Sequence, residues 1–424
     1  MADAARHPVR HLRWYIAILL CFASELNYFD RQALSVLAVQ IQADIGFTST
    51  QYGQITSAFL LSYAIMYAVS GRIIDVVGTR RGYLVFVSAW SVAAMTHGLA
   101  GSVFQFQMAR FFLGAAEAAV IPGGVKAAAE WFPIRERALA VGIFNAGTAL
   151  GSTLAVPIIG ALGLYVGWRW AFVFAGALGF LWLPIWYVYY HRPEDHRLIS
   201  DEERALILAD RTAADASRPA LATLLRMKET WGCVAARMLT DPITYFLLFW
   251  VPKYLQEVRG ISLAELAVIG WLPFAALAVG NVMSGAIPSY LVSRGWTVNR
   301  ARKTVTFIVS VVALGLFLAL TQIQQTWLAV LCLTGVMFCH GAWGNVILPA
   351  EVFPARAVGT VTGLGGMVGS AAGFVTQLMI GRVVDTAGYV PLFFACSSAY
   401  LVAFVLVVVL IGELGRIRQI PGHA

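Results

Sequence analysis

The feature that most constrains this 424-residue chain is a series of twelve apolar segments. A helix that crosses the hydrocarbon core of a bilayer needs about 20 predominantly apolar residues. Segments of this kind lie near residues 14–37, 51–71, 82–101, 104–130, 138–163, 168–190, 231–256, 264–290, 303–323, 326–350, 357–383 and 390–412. Lipid offers the backbone no hydrogen bonds, so segments such as these cross it as helices. The sequence therefore predicts an all-α membrane protein with twelve transmembrane helices.

The composition supports this prediction. Hydrophobic residues make up 59% of the chain and charged residues 12%, with a mean hydropathy of +0.74. Soluble domains carry about 25% charged residues, and one soluble core could not bury this much apolar sequence. The net charge of +8 is concentrated in short connectors on one side, which argues against a nucleic-acid partner. The five cysteines lie in apolar stretches without a CxxC pair, so we expect neither disulfides nor a bound metal. We expect a monomer without a cofactor.

The only long polar stretch, residues 191–230, divides the twelve segments into six and six. We therefore predict an N-terminal six-helix bundle over residues 1–190, a linker over 191–230 and a C-terminal six-helix bundle over 231–424. Within the linker, Ser200 followed by three acidic residues predicts the start of a helix, because a serine can cap the first turn and acids favour it.

The two halves also resemble each other in sequence. The segment 130–133 (EWFP) recurs as 351–354 (EVFP), and an arginine and a glycine follow at the same offsets in both halves. Related six-helix halves are typical of alternating-access transporters, whose substrate site lies near the bilayer midplane between the halves. We therefore predict two pseudo-symmetric bundles.

The positions of the basic residues predict the orientation. One side receives the linker together with Arg6, Arg10, Arg13, Arg80, Arg81, Arg135, Arg137, Arg294, Arg300, Arg302, Lys303, Arg356, Arg416 and Arg418. The connectors of the other side, near 38–50, 101–104, 324–326 and 384–389, contain no Lys or Arg. We expect a bacterial inner-membrane protein with the linker and both termini in the cytoplasm.

Ionisable side chains at membrane depth are costly and are therefore candidates for function. The first helix contains Asp30 and the fourth contains Arg110 at a similar depth, so the two could pair if the helices are neighbours. Glu117 lies seven residues after Arg110, on nearly the same helix face. A carboxylate in such a site can gain and lose a proton, which favours Asp30 and Glu117 as proton-coupling groups. The alternative is a structural ion pair that only closes the bundle.

Arg31 carries a permanent charge on a planar fork that suits a carboxylate, and this predicts an anionic substrate. The alternative is that Arg31 extends toward the outer headgroups. Lys126 is nearer the cytoplasmic mouth and suits either role. Glu25 lies deep in the first helix, and no role is assigned to it.

Polar and aromatic residues within the segments are candidates to line the same cavity and favour a polyhydroxylated ligand. They are Asn27, Tyr28, Tyr63, Asn145, Thr148, Tyr245, Trp250, His340, Trp343 and Asn345. An aromatic residue in a membrane helix more often packs against its neighbours or anchors the interface. For His340, a neutral imidazole hydrogen-bonded between helices is the alternative to titration.

Residues 71–81 (GRIIDVVGTRR) resemble the G-x-x-x-D-x-x-G-x-R-R loop between the second and third helices of the major facilitator superfamily. The resemblance implies that Asp75, Arg80 and Arg81 latch helix ends together during the conformational cycle. The corresponding segment of the second half, 285–289 (GAIPS), lacks the acid, which puts a second latch there in doubt.

Within that superfamily the chain is most similar to the anion:cation symporters, and among them to hexuronate transporters. The segments that carry this resemblance are 27–32 (NYFDRQ), 129–133 (AEWFP), 136–145 (ERALAVGIFN), 239–242 (LTDP) and 249–255 (FWVPKYL). The resemblance implies that Asp30 and Glu117 couple to protons. It also implies that Arg31, Tyr63 and Arg110 organise the substrate carboxylate.

Two departures from galactonate-type relatives favour hexuronates: Thr148 and Gly366 stand where those relatives have amides. We therefore expect a proton-coupled importer of glucuronate or galacturonate, with protons as the coupling ion. The alternatives are a transporter of another organic anion (an aldonate, an aldarate or an aromatic carboxylate) and an exporter. A membrane-embedded enzyme or receptor is a further alternative. An enzyme would need a catalytic constellation, and no HExxH, P-loop or GxSxG motif occurs.

Overall fold

The computed structural model describes residues 9–209, 219–415 and 419–420. Parts of the predicted cytoplasmic termini and linker, residues 1–8, 210–218, 416–418 and 421–424, lie outside the described residues. The described chain is built of α-helices, and its only β-type pairing is one bridge between Val9 and Ile199. The all-α prediction is confirmed.

The helices of the first half and of the linker are α1 Leu12–Val36, α2 Ala38–Ile45, α3 Ser49–Val77, α4 Thr79–Thr96, α5 Val103–Glu117, α6 Val120–Trp131, α7 Ile134–Tyr165, α8 Trp168–Tyr189 and α9 Asp201–Ala209. The linker also contains α10 Leu221–Leu225. The helices of the second half are α11 Lys228–Glu257, α12 Leu263–Ile269, α13 Leu272–Ser293, α14 Val298–Leu320, α15 Thr326–Trp343, α16 Leu348–Val352, α17 Ala355–Ala387 and α18 Val390–Leu410.

Ten helical units in the described chain are long and apolar enough to cross a membrane, and α3 supplies an eleventh that bends by 51° between Tyr67 and Val69. Three of the ten are interrupted spans formed by α5–α6, α12–α13 and α15–α16. The twelfth predicted span is α1. It has 25 residues, among them the charged Arg13, Glu25, Asp30 and Arg31, and it is not one of these eleven units.

The two halves share one pattern of helix pairing. In the first half α1 packs on α7, α3 on α5 and α4 on α8. In the second half the corresponding pairs are α11 on α17, α13 on α15 and α14 on α18. The weak sequence repeat is therefore accompanied by a structural repeat.

The halves meet mainly where α3 runs along α17, with α1 against α11 and α7 against α12 and α13. Glycines allow the closest approach of α3 and α17. A Cβ atom on Gly53 would lie 2.5 Å from the carbonyl oxygen of Gln377, and one on Gly381 would lie 2.5 Å from that of Ser49. Any larger residue at either position would force the two helices apart.

The linker helix α9 begins as the sequence predicts, with the Glu203 amide donating to the Ser200 hydroxyl at 3.2 Å. It then docks on the first half. The Glu203 carboxylate accepts the Leu12 amide at 3.0 Å and the Arg13 guanidinium at 2.7 Å, and Arg13 also binds Glu136 at 2.9 Å. We call the end of the molecule that carries this contact the linker end, and the opposite end the distal end.

Candidate functional site

The first charged group at the centre is an ion pair between α1 and α5. The Arg31 Nε atom donates to the Glu117 Oε2 atom at 2.6 Å, and the two side chains are 3% and 0% exposed. A charge-assisted hydrogen bond shielded from water is strong, and leaving either partner buried alone is costly. Arg31 and Glu117 therefore form one unit in this conformation, a pairing that the sequence did not predict.

Aromatic rings surround the Arg31 guanidinium. Its Cζ atom lies 4.6 Å from the ring centroids of both Tyr28 and Tyr63 and 5.0 Å from that of Phe59. Such faces attract a cation electrostatically and fix the direction of its fork. Arg31 and Tyr63, both predicted to organise the substrate carboxylate, are thus in contact. The centroids of the Tyr63 and Tyr67 rings lie 5.6 Å apart.

Asp30 and Arg110 are also buried, at 3% and 1% exposure. They interact electrostatically but form no ion pair with each other, so the pairing that their similar depths allowed is not made in this conformation. Among the described residues, none accepts a hydrogen bond from any Arg110 side-chain nitrogen, and none pairs with the Oδ1 atom of Asp30 or the Oε1 atom of Glu117. Buried polar atoms without partners are rare in folded proteins and mark functional positions.

The second half contributes a charged group that the sequence analysis did not single out. The Nε and Nη2 atoms of Arg237 donate to the Oδ2 atom of Asp241 at 2.9 and 2.8 Å. The predicted site residue Asn345 completes this group, because its amide donates to Asp241 Oδ1 at 3.0 Å and to the Thr240 hydroxyl at 2.7 Å. Opposite charges four residues apart inside an apolar span were a signal for this group, which we call the α11 cluster.

Three other predicted residues lie in contacts within the second half or at the distal end. The Trp250 indole donates to Gln377 at 2.7 Å, and the Trp343 indole donates to Ser310 at 2.9 Å. Both ring nitrogens of His340 are occupied by hydroxyl groups, those of Thr244 at 2.8 Å and Tyr400 at 2.7 Å. His340 is therefore hydrogen-bonded between three helices, which was the alternative to titration.

Two predicted residues of the first half remain. Asn27 is buried on α1, and its amide nitrogen has no partner among the described residues. Thr148 donates to the Asn145 carbonyl oxygen on its own helix, α7, at 2.8 Å. Glu25 is half-buried on α1 and forms no ion pair with any described residue.

The predicted latch residues lie at the linker end. Asp75 pairs with Lys126 at 2.8 Å, and Lys126 also donates to the Ile74 carbonyl oxygen at 3.0 Å. Arg80 instead donates to the Tyr187 carbonyl oxygen, and its guanidinium lies 4.5 Å from the centroid of the Tyr187 ring. Arg81 is exposed. In the second half an ion pair between Arg302 and Glu351 occupies the same end, although the sequence left a second latch in doubt.

The interface between the halves is closed at the distal end. The Asp385 carboxylate on α17 accepts the backbone amides of Ser49 and Thr50 at 3.0 and 2.7 Å, and the Thr50 hydroxyl at 2.6 Å. These are the first residues of α3, so an acid of one half caps a helix of the other. The Tyr52 hydroxyl donates to the Phe249 carbonyl oxygen at 2.7 Å nearby.

The same interface is open at the linker end. On α17, Cβ atoms placed on Gly373 and Gly366 would touch α3 at Leu60 and Tyr67, whereas Gly363 and Gly359 have nothing within 4 Å. On α7, Gly160 meets Ala267 of the second half. Gly142 lies 18 residues earlier on the same helix face, and it too has nothing within 4 Å. A cleft between the halves therefore opens toward the linker and ends near Tyr67.

Comparison with known proteins matches this architecture. The profile described as Major Facilitator Superfamily covers residues 20–376. A hexuronate transporter of Escherichia coli (strain K12) is 33% identical over 394 residues, which are 91% of this chain and 90% of that protein. A probable galactarate/D-glucarate transporter of the same strain is 28% identical over 437 residues, covering 96% of this chain and 95% of that protein. The inward open structure of a xylose transporter from E. coli has the same fold, with a TM-score of 0.72 at 15% identity over 95% of this chain and 97% of that one.

Proposed function

This chain belongs to the major facilitator superfamily, and on that premise we propose that it is a proton-coupled symporter that imports a hexuronate, glucuronate or galacturonate, by alternating access. It is a multi-span membrane transporter and not an enzyme. The observation that carries the proposal is the buried Arg31–Glu117 pair inside its aromatic box, at the inner end of the cleft.

The pair couples a proton to an anion. When Glu117 takes a proton, it no longer balances the charge of Arg31, and an uncompensated buried charge costs about 3–5 kcal/mol. A substrate carboxylate placed on the freed fork removes that cost. Each ligand thus makes binding of the other more favourable, which is the reciprocal coupling a symporter needs. The Tyr63 ring keeps the Arg31 guanidinium oriented for this contact.

Asp30 and Arg110 form the second element of the proposed coupling. Arg110 interacts electrostatically with both Asp30 and Glu117. Because Arg110 is positively charged, protonating both acids at once is unfavourable. When one acid is protonated, Arg110 still interacts with the other. We assign Asp30 as a second proton acceptor and Arg110 as the group that links the two acids.

The substrate assignment is supported by the similarity to a hexuronate transporter over most of the chain. The runner-up is an aldarate, and the similarity to a probable galactarate/D-glucarate transporter favours it over other organic anions. Orientation is part of the proposal. The linker end carries most of the Lys and Arg residues, so it faces the cytoplasm of a bacterial cell and the structure is an inward-facing state.

The test is uptake of labelled glucuronate into proteoliposomes under an imposed proton gradient. Wild-type protein is expected to accumulate substrate, and this accumulation should stop when the gradient is collapsed. Glu117→Gln is expected to lose accumulation and to keep exchange of internal for external substrate, because a glutamine mimics the protonated Glu117 that leaves the Arg31 fork to the substrate but cannot release a proton.

Glu25→Gln is the matched control, because Glu25 is an acid of α1 without a basic partner in the described chain. It should accumulate glucuronate like the wild type. Accumulation by Glu117→Gln at the wild-type level would contradict the coupling role, and transport of no hexuronate would contradict the substrate.

A further inference from the structure

We propose that the α11 cluster of Arg237, Asp241 and Asn345 is a subsite for the uncharged, hydroxyl-bearing end of the substrate. It follows that the transporter prefers sugar acids with one carboxylate to those with two. This inference rests on the proposed function and adds to it a specificity-determining site in the second half.

The position of Arg237 carries the first step. A Cβ atom on Gly366 would lie 3.1 Å from the Tyr67 ring and 3.2 Å from the Nη1 atom of Arg237. Arg237 of α11 and Tyr67 of α3 therefore meet over the bare backbone of Gly366. Tyr67 contacts Tyr63, which contacts Arg31. The two arginines thus stand at opposite ends of one row of tyrosines that crosses the interface at the inner end of the cleft.

The hydrogen bonds of the cluster carry the second step. A guanidinium has five N–H donors. Asp241 takes two of those on Arg237, and the Thr362 carbonyl oxygen takes one from Nη1 at a long 3.4 Å. A second N–H of Nη1 therefore remains on the side that faces Gly366, and the Oδ2 atom of Asp241 lies one turn further along α17, at Gly369. A donor next to an acceptor is what a hydroxyl group needs, because a hydroxyl both donates and accepts.

The charge of the cluster carries the third step. Arg237 and Asp241 together bear no net charge when both are ionised, so the subsite does not compensate an anion. A second carboxylate would approach Asp241 with the same sign and would be repelled. Arg31 differs, since its partner Glu117 can be neutralised in the proposed cycle. One end of the site therefore suits a carboxylate and the other suits hydroxyls.

The experiment measures equilibrium binding of D-glucuronate and D-glucarate to purified full-length protein. Wild type is expected to bind glucuronate more tightly than glucarate. Asp241→Asn keeps the shape of the side chain but gives the cluster one positive charge. It should change the ratio of the two affinities toward glucarate by at least about ten-fold. A ratio unchanged in this variant, or a wild type that prefers glucarate, would overturn the inference and leave the transporter assignment standing.

A steric pair on α17 tests the subsite without removing any charge. Gly366→Ala adds a methyl group between Tyr67 and Arg237 and is expected to weaken glucuronate binding several-fold. Gly363→Ala, one turn away in open space, is the matched control and should bind like wild type. Equal binding by the two variants would overturn the inference even if Asp241→Asn does not fold. A wild type that binds no sugar acid would instead remove the proposed function, and this inference with it.

Discussion

The charged groups of the two halves differ in how completely they are satisfied. In the second half, Asp241 is held by both Arg237 and Asn345. In the first half, Arg110 makes no hydrogen bond with a described residue, and Asp30 and Glu117 each keep a buried oxygen without one. A satisfied network resists change, whereas an incomplete one is ready to exchange partners. The comparison indicates that the first half binds the carboxylate and performs the coupling, whereas the second half recognises the hydroxyl-bearing end of the substrate.

Among the variants that test this comparison, the largest effect is expected at Arg31. Arg31→Lys replaces a planar fork by a single ammonium group inside three aromatic rings, so the carboxylate loses its two-point contact. We expect glucuronate binding to weaken about 100-fold, equivalent to about 3 kcal/mol. Arg237→Lys should weaken it by only about ten-fold, because that end binds hydroxyls. Equilibrium binding on the two variants checks this, and equal losses would contradict the division of roles.

A smaller effect is expected where the halves are joined at the distal end. Asp385→Ala removes the acceptor of three hydrogen bonds that cross the interface. A hydrogen bond to a charged group contributes about 1.5–3 kcal/mol. The equilibrium between closed and open distal ends should therefore shift toward the open form by about ten-fold or more. Distance measurements between spin labels on α3 and α17 report this shift.

Asp44→Ala is the control for that measurement. Asp44 also lies near the distal end and accepts from Trp168 and Arg169, and all three residues belong to the first half. The Arg169 guanidinium beside it lowers the pKa of Asp44 below its ordinary value. Its loss should leave the distance distribution unchanged. A shift as large as that of Asp385→Ala would mean that the crossing contacts do not hold the end closed.

The smallest effect is expected at His340. Both ring nitrogens are held by hydroxyl groups between α11, α15 and α18, so the side chain has none free for substrate. His340→Gln should leave the pH profile of gradient-driven uptake in place, with at most a modest loss of thermal stability. A displaced pH profile would make His340 part of the coupling machinery and would weaken the contrast between the halves.

The sequence predicted well what depends on one helix at a time. Segment length gave the spans, and helical spacing placed Arg110 and Glu117 at a common site. It failed where two helices must be oriented about their axes. The depth of Asp30 and Arg110 suggested a pair, yet Glu117 is bonded by Arg31, because depth does not say which way a side chain points around its helix.

The same reason explains the second half. Trp250 and Trp343 are polar at one edge and lie within spans, but they face Gln377 and Ser310 rather than the cleft. Arg237 and Asp241 were not predicted as a site, because two opposite charges four residues apart on one helix do not show whether the pair faces the other half. Whether Asp241 binds two partners at once depends on how the helices of the second half pack against each other.

The contacts along α17 make it a lever with unequal arms. Gly366 is the last glycine toward the linker at which an added Cβ atom would touch α3, so we take it as the pivot. Gly381, at the closed end, is 15 residues away, and Gly359, at the open end, is 7 residues away. At 1.5 Å per residue the arms measure roughly 22 and 10 Å. A small rotation that brings the linker end together therefore displaces the distal end about twice as far.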